Sequence, residues 1–448
     1  MCDGLSIGIN NNANCWQSSC SNKLKEIASF GPVKMGRAVF SQCKTPIKMP
    51  LNDVPNAESL EYMDRYFDSA LVSGPIDHWD VSHALSFERI FKKSDLKTSI
   101  VHWDTSNVRA MYGAFLSMKS DVDVSLWDVG NVVVMSLMFK DATSFNGDIS
   151  GWDVSRVMNM SSMFNGATKF DQNLSKWDTH SVTDMSSMFK DATSFNGDIS
   201  GWDVSWVTNM SSMFKGATKF DQNLSNWKTH SVTDMSSMFK GATSFNGDIS
   251  GWDVSRVTNM IQMFSGATEF NGNISKWNVS QVVNMQELFN GATKFNQNLS
   301  NWKTHNVRNM SGMFIGATSF RGDISGWDTH SVIEMSSMFK GATSFNGDIS
   351  GWDTHSVIDM LSMFKGARSF NCDISGWDVS EVRIMAEMFH GAMMFNQSLE
   401  KWDVRNTSSL YDFFKESGIS KENYCKTIQN LVFKKNKDKL GISFVCEP

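Results

Sequence analysis

Tryptophan recurs at a fixed interval along most of this chain. Trp79, Trp103 and Trp127 are 24 residues apart, and from Trp127 the step is 25 as far as Trp402. Only two of the 16 tryptophans, Trp16 and Trp206, fall outside that register. Each of the others marks one copy of a unit such as Ser144–Thr168, SFNGDISGWDVSRVMNMSSMFNGAT. A period of this length is the mark of stacked repeats, in which one unit cannot bury its apolar face alone and does so against its neighbours. The 448 residues would otherwise suggest two or three globular domains. In an array the core grows with length instead.

Two apolar patterns alternate within a unit. Ile149, Trp152 and Val154 have the spacing of one inward face of a strand. Val157, Met160, Met163 and Phe164 then follow at the spacing of a short helix face. Ser155 stands where an N-cap is wanted, and Gly166 where a left-handed residue would end that helix. The expected fold is therefore an α/β repeat solenoid, a right-handed leucine-rich-repeat-like stack of strand plus short helix. It has about 14 turns of 25 residues. Residues 1–60 read as a partly irregular N-terminal region, 61–405 as the solenoid and 406–448 as a C-terminal cap.

The repeat FNGDISGWDVSxVTNMSSMFxGAT resembles that of the BspA-like leucine-rich repeat surface proteins, including the mycoplasma-type repeat of unknown function. The resemblance covers about three quarters of the chain. It implies a solenoid used for adhesion or protein contact at a cell surface, with no catalytic residues.

The ends are less regular. Glu58–Leu71 reads as an amphipathic helix capping the first repeat, and Ser420–Lys434 as a second one that places Tyr424, Ile428, Leu431 and Val432 on one face. Ile442–Val445 offers a last strand. The cysteines number seven, an odd count with no metal-ligand spacing, and are expected to be free thiols. Met1–Phe30 carries no basic region followed by an apolar run, and no transmembrane segment is expected. The sequence thus leans towards an intracellular setting, against the surface location that the resemblance implies.

Stacking turns each repeat position into a row. The row after tryptophan includes Asp328, Asp353, Asp378 and Asp403 on consecutive turns. Like charges about 5 Å apart repel by roughly 0.8 kcal/mol even in water, so the row calls for backbone donors, cations or a basic partner. Turn capping by D-V-S and D-T-H is the simplest answer. Trp206 sits in a row otherwise made of residues such as Arg156, Ser181, Ser231 and Glu381. An indole among polar neighbours reads as an interface anchor. The partner-binding candidates are thus Trp206, Asp328, Asp353, Asp378 and Asp403.

A net charge of −6, spread along the chain, lacks the basic footprint of a nucleic-acid binder. No P-loop, nucleophile elbow or H-E-x-x-H motif is present, so no enzyme activity, cofactor or metal is expected. The expected function is a non-enzymatic binding or adhesion scaffold that presents a ladder surface to a protein or glycan. The alternatives are a structural spacer that self-associates and a cation-stabilised solenoid.

Overall fold

A computed structural model describes residues 7–8, 27–29, 39–43, 49 and 54–446. The chain falls into two compact units, Met1–Gln222 and Asn223–Pro448. Short parallel strand pairs join Ile7–Gly8 to Ile27–Ser29 and Leu71–Val72 to Asp95–Leu96, all in the first unit. Elsewhere in the repeats the turns are linked by single parallel bridges, such as Val134↔Asn159 and Asn159↔Asp184 in the first unit and Asp234↔Asn259 in the second.

These bridges place the inter-turn ladder on the segment whose spacing suggests a helix. Met160, Ser162, Phe164 and Gly166 each donate an N–H to a carbonyl of the next turn, on Asp184, Ser186, Met188 and Lys190, at 2.7–3.1 Å. The intervening N–H groups of Met163, Asn165 and Ala167 reach back three residues, to Met160, Ser162 and Phe164. No i→i−4 series forms. The short helix of each repeat is therefore corrected to a run of tight turns that doubles as the ladder.

The reason lies at one backbone position. Ser162 has φ +56°, as do its counterparts Ser187 at +55° and Ser337 at +56°. A left-handed residue in the middle of Met-Ser-Ser-Met-Phe breaks any α-helix there and re-aims alternate N–H groups at the neighbouring turn. Gly166, at φ +74°, takes the same conformation where glycine makes it free of cost.

The Ile149–Val154 segment holds no bridge and is corrected from strand to turn. Its backbone closes on itself, with Trp152 N–H on Ile149 O and Val157 N–H on Val154 O. Side chains make the link to neighbouring turns here. The Trp177 indole N–H donates to Ile149 O at 3.0 Å, and Trp302 to Ile274 O at 3.0 Å. A tryptophan thus buries a large apolar body while its one donor is satisfied by the preceding turn. In the D-T-H repeats the buried threonine adds a second tie, Thr179 Oγ1 to Asp203 O and Thr329 Oγ1 to Asp353 O, both at 2.8 Å.

The core of each unit is built from superposed rows. In the first unit Phe139, Phe164 and Phe189 stack with ring centroids 5.5–5.6 Å apart. In the second, Trp327, Trp352 and Trp377 stack at 6.1–6.3 Å. Stacked aromatic pairs contribute about 0.5–1.5 kcal/mol each beyond their burial. Met160 and Met163 are fully buried beside them.

Both ends differ from the sequence expectation. Among the described residues near the start only Ala57–Leu60 is helical, as one 3-10 turn. The rest of Glu58–Leu71 is itself a turn of the stack, with Arg65 and Ser69 at positive φ and Tyr62 bridged to Ser86. At the far end two helices, α1 (Lys421–Thr427) and α2 (Leu431–Lys435), replace the single one expected. A turn at residues 428–430 separates them, and Asn430 Nδ2 bonds Trp402 O at 2.7 Å. Tyr424 and Phe433 are buried, while the side chains of Leu431 and Val432 lie outside the described residues.

Residues 442–445 form no strand; the last ladder bonds run from Asp412 and Phe414 to Lys439 and Leu440. The expectation of free thiols fails for Cys425 and Cys446, which form a disulfide tying α1 to the tail. Cys43 and Cys372 are free, and burial pushes the Cys43 thiol up to about 11. Cys2, Cys15 and Cys20 lie outside the described residues.

Candidate functional site

The aspartate row of the second unit belongs to the turn edge and not to a strand. Asp328 Oδ1 accepts from His330 N–H at 3.3 Å and from His330 Nδ1 at 2.7 Å. Asp353 repeats this with His355 at 3.2 and 2.7 Å. Asp378 accepts from Ser380 N–H at 3.0 Å, and Asp403 from Arg405 N–H, Nε and Nη2. The backbone carbonyls of Asp328, Asp353 and Asp378 each take a threonine hydroxyl from the preceding turn.

Each of these aspartates is thus an Asx turn that organises its own repeat. The hydrogen bond from His330 holds the Asp328 carboxyl below the usual carboxylate range, and His355 does the same for Asp353. Arg405 lowers Asp403 in the same way. Asp328 and Asp353 remain about half exposed. The histidines are held within their own turns: Ser331 Oγ lies 2.9 Å from His330 Nε2, and Ser356 Oγ 2.9 Å from His355 Nε2.

Trp206 lies in the first unit, far along the chain from these aspartates, and its side chain is 67% exposed. The tryptophans of the regular row are almost wholly buried, at 0–4%. Near it in register stand Ser181 and Arg156, the latter bonded through Nη1 to Asn131 Oδ1 at 2.7 Å. Trp206 thus belongs to the first unit and the four aspartates to the second.

A grouping the sequence reading missed lies near the C-terminal end. Glu387, His390 and Asp412 place one potential ligand atom each within 4.8 Å of one another. Glu387 and Asp412 occupy the left-handed position that serine holds more often than any other residue, and His390 a position often held by lysine. Departure from the consensus on consecutive turns was the available signal. Lys365 pairs with Glu387 at 2.8 Å and Lys415 with Asp412 at 3.0 Å. The Lys365 contact, chiefly, keeps the Glu387 carboxyl below its usual range. Two ammonium groups already neutralise these carboxylates, so the arrangement is a charge-balanced network more than an open donor set. His390 Nδ1 is buried without a hydrogen-bond partner and sits 3.7 Å from Glu387.

Residues 58–175, 147–252, 243–341 and 318–427 each match the family described as "Mycoplasma protein of unknown function, DUF285". The chain belongs to this family. Its four overlapping matches are the tandem repeats seen as turns in each unit. None of the curated proteins matches. Among solved structures, the crystal structure of a TLR13–ssRNA13 complex aligns at 11% identity and a TM-score of 0.26. That alignment takes in 86% of this chain and 63% of the other, so this chain spans under two thirds of that structure. At such a score the likeness carries no argument. Among the described residues no helix is long and apolar enough to cross a membrane.

Proposed function

We propose that this member of the DUF285 family is a non-enzymatic recognition scaffold of leucine-rich-repeat-like type, presenting rows of side chains to a protein or glycan partner. The exposed Trp206 supports this reading most directly. Its row is polar elsewhere, and an indole 67% open to solvent gives the fold nothing that Ser181 does not. A large aromatic exposed at that level is the residue type that anchors interfaces. The aspartate row supplies a second, acidic surface, on which Asp328 and Asp353 are about half exposed.

The test uses the whole chain as bait for surface proteins and glycans, beside Trp206→Ser. A second variant carries Asp328→Asn, Asp353→Asn and Asp378→Asn together. A partner whose affinity falls about tenfold or more in Trp206→Ser, with melting unchanged, places recognition on the first unit. Loss only in the triple variant moves it to the aspartate row. Equal binding by all three baits refutes both surfaces.

A further inference from the structure

One position breaks a rail that runs through the second unit. Asn271 Oδ1 accepts the backbone N–H of Asn296, Asn296 that of Arg321, Asn346 that of Asn371, and Asn371 that of Asn396, at 2.7–2.9 Å. Each turn thus hands a side-chain acceptor to the next. Arg321 stands in this row and has no acceptor to offer. Asn346 N–H, the donor it would have served, has no partner among the described residues.

The gap adjoins an open surface pocket of about 350 Å³ lined by Arg321, Ser344, Asn346, Gly347 and Ser369. Neither Ser344 nor Ser369 uses its hydroxyl in a hydrogen bond within the described protein, and the Arg321 guanidinium is exposed and makes no ion pair. Small side chains keep the space open: Ser319, Ser344 and Ser369 follow one another where Glu269 and Lys294 stand earlier in the same row. Exposed Arg368 adds positive charge beside Ser369. The nearest carboxylates in sequence, Asp323 and Asp348, each direct Oδ1 to the N–H and hydroxyl of their own turn serine, Ser325 and Ser350.

We infer that this pocket is an oxyanion-binding site for an acidic sugar, which it takes by a carboxylate or a sulfate ester. The residues that line it carry a planar guanidinium fork, a backbone N–H with no partner among the described residues and two hydroxyls not used elsewhere in the described protein, a set rich in donors and matched to such an anion. The volume falls in the range of small-molecule sites and admits one monosaccharide. The polar, aromatic-free lining suits a hydroxylated ligand over an apolar one. This pocket involves neither Trp206 nor the aspartate row, so it stands or falls apart from the recognition surfaces proposed above.

The experiment is calorimetric titration of the full chain at constant ionic strength with sodium glucuronate, with sodium sulfate and with neutral glucose. Arg321→Asn restores the acceptor found in neighbouring turns and so preserves folding; Arg321→Gln keeps the length and removes the charge. Saturable binding of glucuronate or sulfate, at least tenfold weaker in both variants and absent for glucose, supports the site. Glucuronate alone identifies the carboxylate as the group held, and sulfate alone the ester. Binding by Arg321→Asn within twofold of the native chain overturns the inference, as does no binding of either anion by the native chain.

Discussion

The ladder segment, residues 158–166 and their counterparts, and the tryptophan edge, residues 149–157, hold the same turns together by different means. Along the ladder, backbone N–H groups bond backbone carbonyls of the next turn, and only the left-handed residue at Ser162 is needed to aim them. At the tryptophan edge the backbone bonds mostly within its own turn, with isolated links such as Leu174 N–H to Asp198 O at 3.2 Å, and the recurrent tie is an indole N–H, joined in the D-T-H turns by a threonine hydroxyl. Backbone ties tolerate almost any outward side chain, whereas the indole tie fixes the residue type. This accounts for a tryptophan in every turn beside ladder rows that vary among Asn, Asp, Glu and Ile.

The sharpest way to break that contrast is to remove one indole. Trp302→Ala should cost about 3–5 kcal/mol in denaturant unfolding, from lost packing and the cavity it leaves. Trp302→Phe keeps much of the burial but leaves Ile274 O without its donor, and should cost about 1–3 kcal/mol. A phenylalanine as stable as the native residue would show that the indole N–H ties nothing. On the ladder side, Ser337→Gly should stabilise by up to about 1 kcal/mol, because glycine meets φ +56° without a Cβ, while Ser337→Val should destabilise by about 1–2 kcal/mol. Both changes in the same direction would contradict the assignment of that residue as the ladder's hinge.

Smaller effects test the edge. Thr329→Val removes the hydroxyl bonded to Asp353 O and should cost about 1 kcal/mol or less, since valine fills this position in the D-V-S turns. The acid response comes last. Folding lowers the carboxyl pKa of Asp328 and Asp353, so their contribution is present above the unfolded carboxylate range and is lost as pH falls through the folded values. The melting temperature should therefore drop modestly below about pH 4, and less so in the double variant Asp328→Asn, Asp353→Asn. The effect stays small because both groups are about half exposed. An identical acid profile for native and variant chains would detach the aspartates from stability.

The period, the buried tryptophan and methionine rows, and the left-handed Gly166 could all be read from the sequence, because burial and glycine chemistry leave direct marks in it. The placement of the ladder could not. Val157, Met160, Met163 and Phe164 fit a helix face, yet the decisive residue is Ser162, and serine carries no signature of positive φ. Arg65 and Ser69 hid the first turn within an apparent helix for the same reason. The pairing of Cys425 with Cys446 joins residues 21 apart, across α2 and the two turns that flank it, and no local pattern announced it. At the candidate sites Trp206 and the aspartates were visible as departures or rows. Arg321 was visible only once the acceptor rail it interrupts was known.

Within each unit the joints along the ladder repeat the same bonds to the same positions of the following copy. A duplicated stretch of gene that preserves the register therefore arrives with its connections already defined. Lys140–Phe189 and Lys190–Phe239, which differ at five places, bear the trace of such an event. Two of those five are Arg156/Trp206 and Met158/Thr208, both on the outside. Length and surface lettering can then be inherited and varied separately, so a lineage can lengthen its reach by copying and rewrite what it displays by point mutation.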